Sequence, residues 1–373
     1  MEKTLFYQIA LTMIPGIGPI LSKKLIEHFG SPEAIFEENQ SALLQIPGIG
    51  KTLSMAIKDA KVLHLAEKEV EFIRKYKLKT YYYQDPTYPN RLKQCADSPL
   101  LLFQKGDADL NATRTAAIVG TRKATPQGIQ FCESIAEGLV NANVQVISGL
   151  AFGIDIAAHR KVLEKDGQTV GVVAHGLNKI YPSAHRETAR RMLANGAIVT
   201  ELTSQAMPNA GNFPQRNRIV AGLADVTIVI ESDSKGGSLI TAEIANSYAR
   251  EVMAVPGRPT DRYSTGCNQL IKQHFAHALT KTEDILQLMN WEPSEVSTPT
   301  AQLHLSSYSN NQQQVLQLLQ SQGQMHFNQI LNLSQLTAPQ LGATLIELEL
   351  LQLIFIAPGP IYGLKGHQSV ATT

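Results

Sequence analysis

Between about residues 112 and 285 one alternation repeats. Apolar runs rich in β-branched residues (116–119, 144–148, 169–173, 197–200, 226–230 and 252–255) are separated by stretches of helical periodicity at 128–140, 154–163, 185–194 and 239–249. Apolar runs this dense describe strands covered on both faces, as in a parallel sheet with helices packed on either side. The expected class is therefore α/β, a doubly wound parallel sheet. Such a sheet gathers ligands beyond the carboxyl ends of its strands.

The segments that follow these strands hold the chemistry. The first strand runs into Gly120-Thr121-Arg122-Lys123. The second runs into Ser148-Gly149-Leu150-Ala151-Phe152-Gly153-Ile154-Asp155, with His159 four residues on. After the third come Tyr181-Pro182-Ser183-Ala184-His185-Arg186, and after the fourth Glu201 and Phe213-Pro214-Gln215-Arg216-Asn217-Arg218. The fifth leads to Glu231 and Lys235-Gly236-Gly237-Ser238-Leu239-Ile240-Thr241. Glycine-rich loops that open a helix expose backbone N–H groups to anions, and arginines add fixed, forked donors. The expectation is a phosphate pocket, or a groove for several phosphates, with Arg122, Arg216 and Arg218 among its walls. The competing reading of Arg216 and Arg218 is structural: one of them braces the fold against Glu201 or Glu231.

Other chemistries find little support. No Gly-x-Gly-x-x-Gly follows the first strand and no Gly-x-x-x-x-Gly-Lys-Ser/Thr loop is present, which argues against dinucleotide binding and NTP hydrolysis. Ser148, Asp155 and His159 lack a Gly-x-Ser-x-Gly elbow, and Asp155 reads instead as a cap or a brace for its own loop. The three cysteines are scattered, with neither Cys-x-x-Cys nor His-x-x-x-His spacing, so neither a metal site nor a disulfide framework is expected. With no membrane-length apolar run and no signal-like N-terminus, a cytoplasmic protein is the natural inference. Net charge is only +1, but it is uneven. Residues 112–280 carry 17 Lys and Arg against 13 Asp and Glu, while residues 281–373 carry 2 against 6.

A chain of 373 residues has room for more than one domain. Ile14-Pro15-Gly16-Ile17-Gly18 and Ile46-Pro47-Gly48-Ile49-Gly50 are near-repeats set between helical patterns, and look like tandem helix-hairpin-helix units over residues 1–80. Their glycine N–H groups, with Lys23, Lys24 and Lys51 nearby, are candidates to hold phosphate, against the plainer reading of compact interhelical turns. Residues 291–311 are rich in Ser, Thr, Pro and Asn and read as a flexible linker. Residues 312–366 read as three helices and a hairpin, a winged-helix pattern, ahead of a tail at 367–373. No Lys or Arg lies between Thr282 and Leu364, and the third helix carries Glu347 and Glu349. Tight duplex binding by that module is not expected, which favours a protein-contact or regulatory role.

The motifs from Val119 to Ala276 resemble those of the DprA/Smf family of bacterial DNA-processing proteins. The matching pieces are Val-Gly-Thr-Arg, Ser-Gly-x-Ala-x-Gly-Ile-Asp, Tyr-Pro, Phe-Pro-x-Arg-Asn-Arg-Ile, Gly-Ser-Leu-Ile-Thr-Ala, Pro256-Gly257 and Gly266-Cys267-Asn268-Gln269-Leu270-Ile271. The resemblance implies an extended Rossmann-like domain over residues 81–290 that binds single-stranded DNA. It also implies a homodimer that protects incoming DNA and loads the RecA recombinase during natural transformation, with no catalysis and no cofactor. DNA contacts would fall on Gly120, Thr121, Arg122, Lys123, Ser148, Gly149, Ala151, Gly153, Asp155, His159, Tyr181, Ser183, His185, Arg186, Arg216, Asn217, Arg218, Gly237, Ser238 and Thr241. Three departures stand out. Ser183 replaces the lysine common after the Tyr-Pro pair, with His185 and Arg186 as substitutes. Gly236-Gly237-Ser238 stands where Ser-Gly-Ser is usual, and Phe275-Ala276 where Gly-Ala is usual. The alternative is a nucleotide phosphoribohydrolase-like enzyme on a related Rossmann-like fold, whose Gly-Gly…Thr…Glu signature is loosely similar to Gly236-Gly237, Thr241 and Glu243.

Overall fold

A computed structural model of the chain describes residues 2–291, 308–351, 353–357 and 360–364. The chain divides into two compact units, residues 1–291 and 292–373. Residues 292–307 of the expected linker lie outside the described residues, while Trp291 is buried and a helix already begins at Asn310; the expected tail lies outside them too, as do Pro358 and Gly359 of the expected hairpin.

The first unit opens with six helices: α1 (Glu2–Thr12), α2 (Pro19–Phe29), α3 (Pro32–Glu37), α4 (Gln40–Leu43), α5 (Lys51–Ile57) and α6 (Ala60–Tyr76). The two Pro-Gly-Ile-Gly repeats form the turns ahead of α2 and α5, and Gly16 and Gly48 take φ of +83° and +98°, a conformation open to glycine. Ile14, Ile17, Leu25, Ile46, Ile49 and Ile57 close a buried core around them. Lys23 does not point to solvent. It donates to the Ser98 hydroxyl at 2.7 Å and to the Ala96 carbonyl at 3.2 Å.

Nine strands follow: β1 (Lys79–Tyr82), β2 (Leu101–Gly106), β3 (Thr115–Val119), β4 (Gln145–Ser148), β5 (Thr169–Val172), β6 (Gly196–Thr200), β7 (Val226–Val229), β8 (Glu251–Ala254) and β9 (His277–Ala278). They form one sheet in the order β1-β2-β6-β5-β4-β3-β7-β8-β9. From β6 to β9 every pairing is parallel, whereas β1–β2 and β2–β6 are antiparallel. The parallel sheet expected from sequence is thus extended by an antiparallel edge. The helices are α7 (Asn90–Lys93), α8 (Pro126–Asn141), α9 (Ile154–Glu164), α10 (Arg186–Met192), α11 (Asn212–Leu223), α12 (Gly237–Ser247), α13 (Thr265–Lys272) and α14 (Thr282–Leu288).

Side-chain alternation along β3 shows how the layers form. Ala117 and Val119 join the core with α11 and α12, while Ala116 and Ile118 join the core with α8 and α9. On β2, Leu101 and Phe103 face the helical layer's core and Leu102 the opposite one. The helical layer is therefore seated on the antiparallel edge. Glu69 of α6 pins it there. Its buried carboxylate accepts the Ser204 N–H at 2.8 and 2.9 Å and the Ser204 hydroxyl at 2.6 Å, fixing the loop after β6.

The second unit holds α15 (Asn310–Gln322), β10 (Met325–His326), α16 (Phe327–Leu333), α17 (Ala338–Leu350), β11 (Ile354–Ala357) and β12 (Ile361–Leu364). Its sheet is antiparallel, ordered β10-β12-β11. Capping boxes at Ser309–Gln312 and Thr337–Gln340 start α15 and α17. Val315, Leu319, Ile330, Leu341, Leu345 and Leu348 form its core. The three helices and hairpin match the expected winged helix, and β10 is the strand the sequence did not announce.

Candidate nucleic-acid interface

Three loops converge beyond the carboxyl ends of β3, β4 and β5. After β3, the Thr121 N–H donates to the Glu231 carbonyl at 2.7 Å. The Glu231 carboxylate accepts the Thr125 N–H at 2.9 Å and its hydroxyl at 2.6 Å, and that hydroxyl caps α8 by accepting the Gly128 N–H at 3.0 Å. The turn rests on Gly153, whose φ of +76° opens α9 with no side chain between it and the turn. A Cβ there would stand 2.2 Å from the Thr121 oxygen. Held this way, Arg122 is exposed and its guanidinium lies 4.9 Å from the centre of the Phe213 ring, a cation–π arrangement.

The loop after β4 closes on itself. Asp155 accepts N–H bonds from Gly149 at 3.1 Å and Ala151 at 3.3 Å, which confirms it as a brace. Burial raises its carboxyl above the ordinary range, with Arg216 and the two N–H groups opposing that rise. Arg216 is buried beneath the loop and donates to the Gly149 carbonyl at 2.5 Å and to the Val172 carbonyl. Its Nε donates to Asn217 Oδ1 at 3.3 Å, and the Asn217 amide reaches the Gly237 carbonyl at 3.4 Å. Arg216 therefore shapes the site from below and is not one of its exposed cations.

The loop after β5 supplies the third wall. Its end is fixed by His175, whose Nδ1 donates to the Gly176 carbonyl at 2.9 Å while Nε2 accepts the Tyr181 N–H at 3.2 Å. Burial lowers the His175 pKa, and this neutral tautomer serves both bonds. The Tyr181–Pro182 peptide is cis. His185 Nδ1 bonds the Leu150 carbonyl at 2.8 Å, and Phe152 meets the His185 ring edge-on at 4.7 Å. Phe152 and Tyr181 remain 47% and 48% exposed, large values for aromatics flanking a concave surface. Tyr181 and Phe213 are 6.3 Å apart. Arg122, Gly149, Leu150, Ala151, Phe152, Val173, Ala174, His175, Tyr181, Pro182 and Phe213 line the resulting depression. It has one cation and no carboxylate in its lining.

Several expected contacts are placed elsewhere. Arg218 pairs with Glu201 and donates to the Asp97 carbonyl, so it is the bracing arginine. His159 is enclosed against Thr169 at 2.7 Å, and burial pushes its pKa down to about 3, leaving it uncharged. Ser148 is enclosed too, donating to the Ile118 carbonyl at 2.6 Å. Ser238 and Thr241 turn inward, Ser238 onto Ser232 at 2.9 Å, and His185 is buried. Ser148, His159, His185, Ser238 and Thr241 are buried, and Arg218 is largely so. Lys123, Ser183, Arg186 and Gly237 are exposed, and Asn217 is half-buried. Phe152, Phe213 and His175 were missed from sequence. An aromatic between glycines, and another opening a helix next to proline, were the available signals.

The sequence matches a family model described as DNA recombination-mediator protein A over residues 79–290. Residues 9–60 match a SAM-like helix-hairpin-helix tandem, and residues 292–360 the DprA winged helix domain. Protein Smf of Synechocystis sp. is 34% identical over 273 residues, covering 71% of this chain and 68% of that protein. DNA processing protein DprA of Streptococcus pneumoniae is 40% identical over 202 residues, 54% of this chain and 71% of that one. The solved Streptococcus pneumoniae DprA superposes with a TM-score of 0.65 at 31% identity, covering 76% of this chain and 97% of its own. The Helicobacter pylori protein, whose structure is described as revealing a single-stranded DNA binding mode, gives 0.52 at 28% identity over 58% and 96%. The chain belongs to the DNA recombination-mediator protein A family.

Proposed function

We propose that the depression is a seat for single-stranded DNA, in which Phe152, Tyr181 and Phe213 stack bases and Arg122 holds a backbone phosphate. The observation that carries this reading is the set of three part-exposed rings around one guanidinium that has no carboxylate partner among the described residues, at the carboxyl ends of parallel strands. Rings accept any base face, so recognition tolerates sequence. The described single-stranded DNA binding of the Helicobacter pylori relative supports it. The chain then acts as a cytoplasmic homodimer that protects incoming single strands and loads RecA on them during natural transformation, without chemistry on the DNA.

Stacking is worth about 1–3 kcal/mol per base. Phe152→Ala and Tyr181→Ala should each weaken binding of a labelled oligothymidylate by roughly 5- to 150-fold in fluorescence anisotropy. Affinities unchanged in both variants would sink the seat. RecA loading is tested by RecA filament formation on strands coated with single-strand-binding protein, with and without this chain. The phosphoribohydrolase reading lacks a matching geometry, because Thr241 is buried and Glu243 is exposed on α12. Release of free base from AMP would revive it.

A further inference from the structure

Helices α9 and α10 pack side by side, and the seam between them carries cations on its outer surface. Arg160 Nε donates to the Thr188 hydroxyl at 3.5 Å and Arg191 Nη2 to the Leu163 carbonyl at 3.4 Å, so neutral acceptors lay both guanidiniums along the seam. Arg186 opens α10 directly after His185, the residue whose ring touches Phe152 at 4.7 Å. All three arginines are exposed, and none of them forms an ion pair among the described residues. Their neighbours do: Lys161 pairs with Glu164, Lys165 with Glu137 and Arg190 with Glu187. Glu137, Glu164 and Glu187 are thus taken, and the three guanidiniums, without a carboxylate partner among the described residues, run outward from one wall of the aromatic seat. Arg216 and Arg218, by contrast, are largely buried against their protein partners.

We propose that the α9–α10 seam is a phosphate track that continues the path of a single strand out of the aromatic seat. The inference rests on the seat taking single-stranded DNA. Its ligand is the phosphodiester backbone alone, gripped by forked guanidiniums with no base readout. The track lengthens the bound stretch beyond what three rings cover. It also offers an alternative to the lysine that Ser183 lacks, displaced onto the first turn of α10.

The test compares oligothymidylates of 6 and 30 nucleotides against the full chain and two variants, Arg160→Ala/Arg191→Ala and Arg160→Lys/Arg191→Lys. Each lost phosphate contact on a single strand lowers the slope of log K against log salt by about 0.7. The alanine pair should therefore reduce the 30-mer slope by about 1.4 and its low-salt affinity at least tenfold, with hexamer affinity unchanged. The lysine pair should keep most of the 30-mer affinity. A 30-mer slope unchanged in the alanine pair would overturn the track, and so would equal losses for both lengths, which would place the effect in the seat. Failure of the unaltered chain to bind either length would instead refute the seat.

Discussion

Gly153 gives the sharpest test of how the site is held, because it has no side chain and lies outside the lining of the depression. Its backbone sits at φ +76°, ψ −121°, a region that costs a residue with a side chain about 1–3 kcal/mol. A Cβ would stand 2.2 Å from the Thr121 oxygen, 2.8 Å from the Arg122 carbonyl carbon and 2.9 Å from the Arg122 Cα. All three are backbone atoms, so no rotamer change relieves them. Restoring an ordinary carbon–oxygen separation moves the 121–122 turn by about 1 Å and weakens the Ile154 N–H bond to Thr121, now 3.3 Å, worth about 1 kcal/mol. Gly153→Ala should therefore destabilise the first unit by about 2–4 kcal/mol. The same shift carries Arg122 off the Phe213 ring. Losing one charge-assisted phosphate contact costs about 1.5–3 kcal/mol, or roughly 10- to 150-fold in affinity. Gly237→Ala is the control, since no atom lies within 4 Å of an added Cβ there. Thermal unfolding and anisotropy with a short oligothymidylate read both effects. A Gly153→Ala protein that binds within twofold of the unaltered chain, at an unshifted melting temperature, would refute the claim that this glycine positions Arg122.

Arg218→Ala should separate bracing from binding. Removing one partner of a largely buried ion pair costs about 3–5 kcal/mol, while the affinity of the folded fraction for single strands should stay within about twofold, as denaturant melts and titrations below the transition will show. Glu69 should give a pH-dependent stability. Burial holds its folded-state pKa above the ordinary 4.5, so its contribution is complete below that pH and is lost as pH rises through the folded-state value. Against Glu69→Gln, which does not titrate, the melting temperature of the unaltered chain should fall as pH rises above 4.5, and a constant gap would contradict this account.

Within the parallel part of the sheet, the strands legible in sequence were those whose β-branched runs are covered on both faces, such as Thr169–Val172 and Val226–Val229. β2 escaped because Leu101-Leu102-Phe103-Gln104-Lys105-Gly106 is not β-branched and holds a buried glutamine. Its amide N–H groups find partners only in the folded chain, the Gly106 and Ala108 carbonyls at 3.0 and 2.9 Å. The loops that build the site were legible as strand-end glycine segments. Which side chains they expose was not. Arg122, just past β3, and Arg216, within α11, are the same residue type, yet one crosses a ring at the surface and the other is drawn under Gly149 by carbonyls distant in sequence. Phe152 and Phe213 lie in strand-end segments of the sequence, but only the folded loops show that their rings face the depression.

The self-closed 148–155 loop bears on timing. With Asp155 already occupying the Gly149 and Ala151 N–H groups and Arg216 locking the loop from below, an arriving strand has nothing to rearrange there. A surface ordered in advance loses little freedom on binding, so strands of different sequence should associate at similar rates. Differences in their affinity then lie in how long each stays. For a protein whose proposed task ends in surrendering its strand to a recombinase, residence time is the quantity the aromatic rings control.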